Sequence, residues 1–235
     1  MIARFEELDW QPTPMGDLTL RRRREPAVGH DIFEVKLGDE YLMSSLFTVA
    51  EEELANLGLG AAEGDGLTVL VGGLGLGYTA VAALRDERVA AVTVIDRLAA
   101  VIGWHERMLL PASTELVRDA RTTLVEDDFF AVMRAEPAAD RGRYSAILLD
   151  VDHSPRHQLD PTHADLYTAA GLQALDRHLA PRGVFALWSD DPPDERFMIE
   201  LTAVFDDAVA HIVDFENPVT GGVSSNTVYV ARSRG

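Results

Sequence analysis

Hydrophobic and polar positions follow two rhythms along this chain. Between Leu18 and Met43 the apolar residues come in short runs, Leu18-Thr19-Leu20, Asp31 to Leu37 and Tyr41-Leu42-Met43. Runs of that length between turn residues predict short strands, and Gly38-Asp39 joins the last two as a hairpin. Residues 1 to about 15 contain Pro12 and Pro14 with little periodicity, which predicts an extended arm. After Ser45 the rhythm lengthens. Thr48 with Glu51 three positions later predicts a capping box, opening a helix that runs to Gly58 or Gly60. Ala61 to Gly66 then links into Leu67-Thr68-Val69-Leu70-Val71, short and β-branched enough for a buried parallel strand.

Strand and helix patterns alternate from that point. Val92 to Ile95 reads as a strand, followed by a helix through Trp104 and His105. Thr122 to Val125 is the next strand, with a short helix from Asp128, and Ala146 to Leu149 the one after. A helix is expected from about His163 to Leu179, broken at Ala180-Pro181-Arg182-Gly183 before the strand Val184 to Trp188. The last third predicts a helix near Glu195 to Phe205 and strands at His211 to Phe215 and Thr227 to Ala231. The connection between these two is too short for a helical crossover, so they pair antiparallel. Such alternation implies a mostly parallel α/β sheet with helices on both faces. The change of rhythm divides the chain into a small β unit at 1–47 and an α/β domain at 48–235.

Composition narrows the chemistry. The 235 residues are 47% hydrophobic, enough for a full core. No apolar run reaches the roughly 20 residues of a membrane span, and MIARFEELDW lacks the basic-then-apolar order of a signal peptide. The expectation is a cytoplasmic protein with no membrane partner. With no cysteine, disulfides, thiolate metal sites and cysteine nucleophiles are excluded. A formal charge of −18 repels a phosphate backbone and argues against nucleic acid, Arg21-Arg22-Arg23-Arg24 reading as an exposed strand.

The apolar strand at Leu67 breaks into Gly72-Gly73-Leu74-Gly75-Leu76-Gly77 and then resumes as a helix. A glycine turn of this kind lets backbone N–H groups approach a ligand closely. Tyr78 stands where a dinucleotide fingerprint needs its third glycine, and no Gly-Lys-Ser/Thr follows to make a P-loop. Aspartates end the next three strands, where open α/β sheets bind ligands. Asp96 suits the two ribose hydroxyls, Asp127 or Asp128 an adenine amine, and Asp150 the reacting end. Together with Gly73, Gly75 and Gly77 they describe a site for an adenosine without a pyrophosphate, as in S-adenosylmethionine or its decarboxylated form.

In their order these motifs resemble the polyamine aminopropyltransferases, the spermidine synthases and their relatives, over nearly the whole chain. VLVGGLGLG is similar to their glycine motif, VTVID to the ribose strand, LVEDDFF to the adenine strand, and YSAILLDVDHSP to the segment bearing their catalytic aspartates. The resemblance implies a seven-stranded, methyltransferase-like (Rossmann-like) sheet whose last strand is antiparallel, with the N-terminal β unit as a homodimer contact. Departures also count. Gly75 stands where that family carries an acidic residue, His153 or Asp152 where it carries a second aspartate, and Ala50-Glu51 where it carries a Tyr-His pair.

At the reacting end Asp150 and Asp152 are candidates to orient an amine nucleophile and take its proton, and His153 is the candidate base for an alcohol or acid. Tyr78, Tyr167, Trp104 and His105 read as packing. The acidic and histidine residues from Asp150 to His163, with Asp190-Asp191, lie in proline-marked loops without ligand spacing, and no metal is assigned. The missing acid at Gly75 tilts the reading toward a transferase that methylates a small-molecule acceptor from S-adenosylmethionine. The alternatives are aminopropyl transfer to a cationic polyamine such as putrescine, and a non-catalytic nucleoside-binding protein.

Overall fold

The computed structural model describes residues 5–13, 15–137 and 142–235. Its first four strands, β1 (Phe5–Thr13), β2 (Gly16–Glu25), β3 (His30–Leu37) and β4 (Glu40–Ser44), form an antiparallel sheet in that order. The expected N-terminal arm is therefore a strand over Phe5–Thr13, while residues 1–4 and 14 lie outside the described residues. As an edge strand β1 can carry Pro12 without costing the sheet a needed N–H. The arginine run lies on β2 and is neutralised within the sheet, with Arg21 and Arg23 both on Glu34 of β3 and Arg22 on Glu6 of β1.

The remaining elements alternate as α1 (Val49–Ala61), β5 (Leu67–Gly72), α2 (Tyr78–Arg85), β6 (Val89–Asp96), α3 (Ala99–Glu106), α4 (Ser113–Arg118), β7 (Thr122–Glu126), α5 (Phe129–Arg134), β8 (Tyr144–Leu149), α6 (Ala169–Asp176), β9 (Leu179–Ser189), α7 (Glu195–Val204), β10 (Asp206–Asn217) and β11 (Gly222–Arg232). The sheet order is β10-β11-β9-β8-β5-β6-β7, and β11 runs antiparallel to both of its neighbours. This is the seven-stranded α/β sheet with a reversed last strand that the sequence implies.

Alternate residues of each central strand feed two cores, as the period of two requires. Val69, Val71, Ala146, Leu148, Val184 and Ala186 point to α1 to α4, where Leu54, Val81, Trp104 and Leu116 meet them. Leu70, Ile147, Leu149, Phe185 and Leu187 point the other way, to Phe130, Leu172, Leu175, Phe197 and Leu201 of α5 to α7. Leu18, Leu20 and Val35 of the small sheet join the first core. Among the described residues no helix is long and apolar enough to cross a membrane.

Two boundaries differ from the sequence reading. His163 is the last residue of a single 3-10 turn, Pro161–His163, and α6 begins only at Ala169, where the Thr168 hydroxyl accepts from the Gly171 N–H. The expected break at Ala180–Gly183 is absorbed into β9, with Arg182 in the left-handed region at φ +61°.

Candidate active site

The order β8-β5-β6 puts the carboxyl end of β5 between two parallel strands, where the strand order turns from one side of β5 to the other, the position where doubly wound sheets hold ligands. The glycine turn closes β5 there. Gly73 has φ +92°, and a Cβ on it would overlap the carbonyl oxygen of Asp150. Gly75 has φ +46°, and a Cβ there would lie 2.7 Å from the Met43 sulfur. Met43 of β4 thus fills the space that a side chain at position 75 would need. His105 braces the turn from α3. Its Nε2 donates to the Gly75 carbonyl at 2.9 Å and its Nδ1 accepts from the Ser113 hydroxyl at 3.3 Å, while burial pulls its pKa down and keeps the ring neutral.

A cavity runs across these strand ends, where ligands of such sheets are held. Gly73, Gly75, Asp96, Asp128 and Asp150 all line it, with Met43, Leu98, Trp104, Phe129, Phe130 and His163 as its apolar and aromatic walls. Asp96 accepts from the backbone N–H groups of Leu74 at 2.9 Å and Leu98 at 2.8 Å, so its carboxylate is fixed with lone pairs to spare. Burial raises its pKa against those hydrogen bonds. Asp128 caps α5 through Oδ1, accepting from Phe130 and Ala131. Asp127 is exposed and takes no part in the lining; its Oδ1 accepts from the Asp128 N–H at 2.8 Å.

At the other end the cavity continues between Glu51, Gly75, Gly77, Tyr78, Asp150, His153 and Trp188. The Thr79 hydroxyl lies 2.8 Å from Asp150 Oδ2, to which it donates, and 3.2 Å from the backbone carbonyl of Glu51. Glu51 is the residue that sequence reasoning missed as a functional group. It does not close a capping box. The Thr48 hydroxyl donates to Glu52 instead, at 3.2 Å, no side chain caps α1, and Glu51 turns into the cavity. Burial, with repulsion from Asp150, pushes its pKa up to about 8, and burial pushes Asp150 up to about 6 against the Thr79 hydrogen bond. Two such neighbours titrate as a pair.

The other two residues expected at the reacting end are placed differently. Asp152 is 1% exposed and is absent from the lining. Its carboxylate accepts from His163 Nδ1 at 2.8 Å, the Tyr167 hydroxyl at 2.7 Å and the Leu159 N–H at 2.8 Å, so it is committed to holding its own loop. Tyr167, expected as packing, is one of those three donors. His153 lies at the cavity mouth with Nε2 2.9 Å from Glu40 of the small sheet. Among the described residues no group of three or more histidine or acidic side chains is placed to hold a metal ion.

No family model matches the chain, and no curated protein sequence matches it. Solved structures do. Spermidine synthase from Thermotoga maritima superposes with a TM-score of 0.73 at 19% identity, over 97% of this chain and 73% of that one. A spermidine synthase in complex with the transition state analogue AdoDATO gives 0.71 at 18% identity, over 97% and 72%. Small antiparallel sheet, glycine turn and seven-stranded sheet together, this chain has the fold of the spermidine synthases.

Proposed function

We propose that this chain is an aminopropyltransferase, moving the aminopropyl group of decarboxylated S-adenosylmethionine to a primary amine. The observation that carries this reading is the Glu51 and Asp150 carboxylate pair beside the glycine turn, in a stretch of cavity that no arginine or lysine lines among the described residues. Two carboxylates without a basic neighbour favour a positive ligand. The decarboxylated donor brings an ammonium there, whereas S-adenosylmethionine adds a carboxylate of the same sign. The lean toward methyl transfer rested on the missing acid at Gly75, and Glu51 supplies an acid from α1 to the stretch of cavity that Gly75 lines. The spermidine synthase neighbours support the same choice over methyl transfer.

The residues present fit an adenosyl group, since Gly73 leaves room for the backbone to approach it and Asp96 has lone pairs for the ribose. The donor's sulfonium, when bound, makes its neighbouring carbon electrophilic. The protein's task is to present an unprotonated nitrogen in line with that carbon. Asp150, oriented by Thr79, receives the acceptor's ammonium, and the Asp150 and Glu51 pair takes one proton and leaves a nitrogen lone pair. The N–C bond then forms as the C–S bond breaks with its electrons on sulfur, giving a secondary ammonium and neutral 5′-methylthioadenosine. Beyond the pair a groove lined by Tyr41, Phe47, Trp188, Asp190 and Phe215 leads outward. Its aromatic walls suit an aliphatic chain and Asp190 a distal ammonium.

The test is product analysis by mass spectrometry with decarboxylated S-adenosylmethionine and a series of diamines, alongside S-adenosylmethionine with the same acceptors. Equal amounts of 5′-methylthioadenosine and a lengthened amine are expected from the first donor only. S-adenosylhomocysteine and a methylated acceptor from the second donor, with nothing from the first, would overturn the reading.

A further inference from the structure

The Asp152, His163 and Tyr167 cluster is buried, polar and unused by the transfer chemistry. His163 is 4% exposed and its ring stacks on Phe130, with centroids 3.6 Å apart and planes at 9°. Asp152 is acceptor-only as a carboxylate, so the 2.8 Å contact fixes a hydrogen on His163 Nδ1. In the neutral ring Nε2 is then a lone-pair acceptor. Among the described residues Nε2 makes no hydrogen bond, and it is not sealed in as the unpartnered Trp188 Nε1 is. It opens onto the cavity that His163 lines.

That end of the cavity is the base end. Phe129, Phe130 and Asp128 follow β7, two strands from β5 and beyond the Asp96 carboxylate at the end of β6, while Asp150 and Glu51 lie on the opposite side of the glycine turn. Asp128, with Oδ1 taken by the cap of α5, is a second acceptor there, and among the described residues no arginine or lysine lines the two cavities except Arg97, which is 3.7 Å from Asp160. Acceptors without a facing donor suit a base edge that donates.

We propose that His163 reads the nucleobase, its Nε2 accepting from the exocyclic amine of a 6-aminopurine, so that the site takes adenine nucleosides and rejects 6-oxopurines. The assignment rests on the nucleoside reading of this cavity. A 6-oxopurine sets a carbonyl against Nε2 and leaves a buried acceptor unpaired. A site built to hydrogen-bond an N–H group rejects an analogue without it far more strongly than a site of apolar contacts does. Asp152, reaching the base only through the ring, is a positioning residue.

Calorimetry on the full chain tests this with 5′-methylthioadenosine, 5′-methylthioinosine and the analogue with hydrogen at purine C6. The wild-type protein is expected to bind the adenosine about 100-fold more tightly than either analogue. His163→Phe keeps the stack on Phe130 and should cut that preference at least about tenfold, Asp128 retaining the rest. An unchanged preference in a folded His163→Phe protein overturns the assignment. Should that variant not fold, the wild-type comparison decides, since equal binding of the C6-hydrogen analogue would itself overturn it. Absence of binding by any of the three nucleosides sinks the nucleoside reading of the cavity together with the inference, whereas good but undiscriminating binding sinks the inference alone.

Discussion

Glu51 and Asp150 set the pH behaviour of the protein at the scale of single residues. Both carboxyls have folded pKa values above their unfolded ones, about 8 against 4.5 and about 6 against 3.8. The native state therefore holds protons that the unfolded chain has lost. The pair's contribution to stability is complete below the unfolded values, and it is lost as pH rises through about 6 and then about 8. Glu51→Gln removes the upper step. Scanning calorimetry should show Tm unchanged near pH 4 and raised at pH 8.5 by about 4–8 °C, on the order of 2 kcal/mol in a chain of this size. An equal shift at both pH values would show that Glu51 ionises freely. Asp96→Ala is expected to weaken 5′-methylthioadenosine binding about 100-fold, from the loss of two hydrogen bonds to a charged group; an unaltered Kd would place the ribose elsewhere. The strand-end aspartates were readable because a strand end fixes where a residue sits. Glu51 was not, since Thr48-x-x-Glu51 is also the spacing of a capping box, and only the seating of α1 over the glycine turn chooses between the two. Asp152 misled for the converse reason. It stands two residues from Asp150 in a loop, and the donors of His163 and Tyr167 that turn it inward come from 11 and 15 positions further along.

The turn between β5 and α2 and the loop after β8 carry the site at the scale of elements. In the turn, Gly75→Ala combines a positive φ with a Cβ 2.7 Å from the Met43 sulfur and should cost about 1–3 kcal/mol. Met43→Ala opens that space, so urea unfolding of the two single variants and the double variant is expected to give a coupling of at least about 0.5 kcal/mol; strictly additive losses would mean that Met43 does not crowd the turn. In the loop, Asp152→Ala strands three donors at once, two of them from the buried side chains of His163 and Tyr167, and should lower stability by about 3 kcal/mol in the same measurement. A loss under about 1 kcal/mol would contradict the role given to Asp152. Periodicity identified the alternating strands and helices well, since two-faced burial leaves the apolar runs of a parallel sheet. It failed where tertiary pairing overrides local signals. Phe5–Thr13 is a strand because β2 offers it an edge. β9 runs through Pro181 and Gly183, residues that locally signal a break. α6 waits for the Thr168 cap, leaving His163 free to face the cavity.

On the scale of the whole molecule, the small sheet works as a wall of the site as well as an N-terminal addition. Its Leu18, Leu20 and Val35 share the core of α1 to α4, which holds Leu42 and Met43 over the glycine turn and Glu40 against His153. The charge of −18 sits on a chain whose arginine run is already paired, so the long-range field attracts cations toward a cavity that ends in two carboxylates. In the proposed function this pair selects a donor with an ammonium and no carboxylate. Titration calorimetry of the wild-type protein with decarboxylated S-adenosylmethionine and with S-adenosylmethionine, at neutral pH and low salt, tests it most directly. Binding of the decarboxylated donor at least about tenfold tighter is predicted, from one like-charge contact avoided. Equal or tighter binding of S-adenosylmethionine would contradict it.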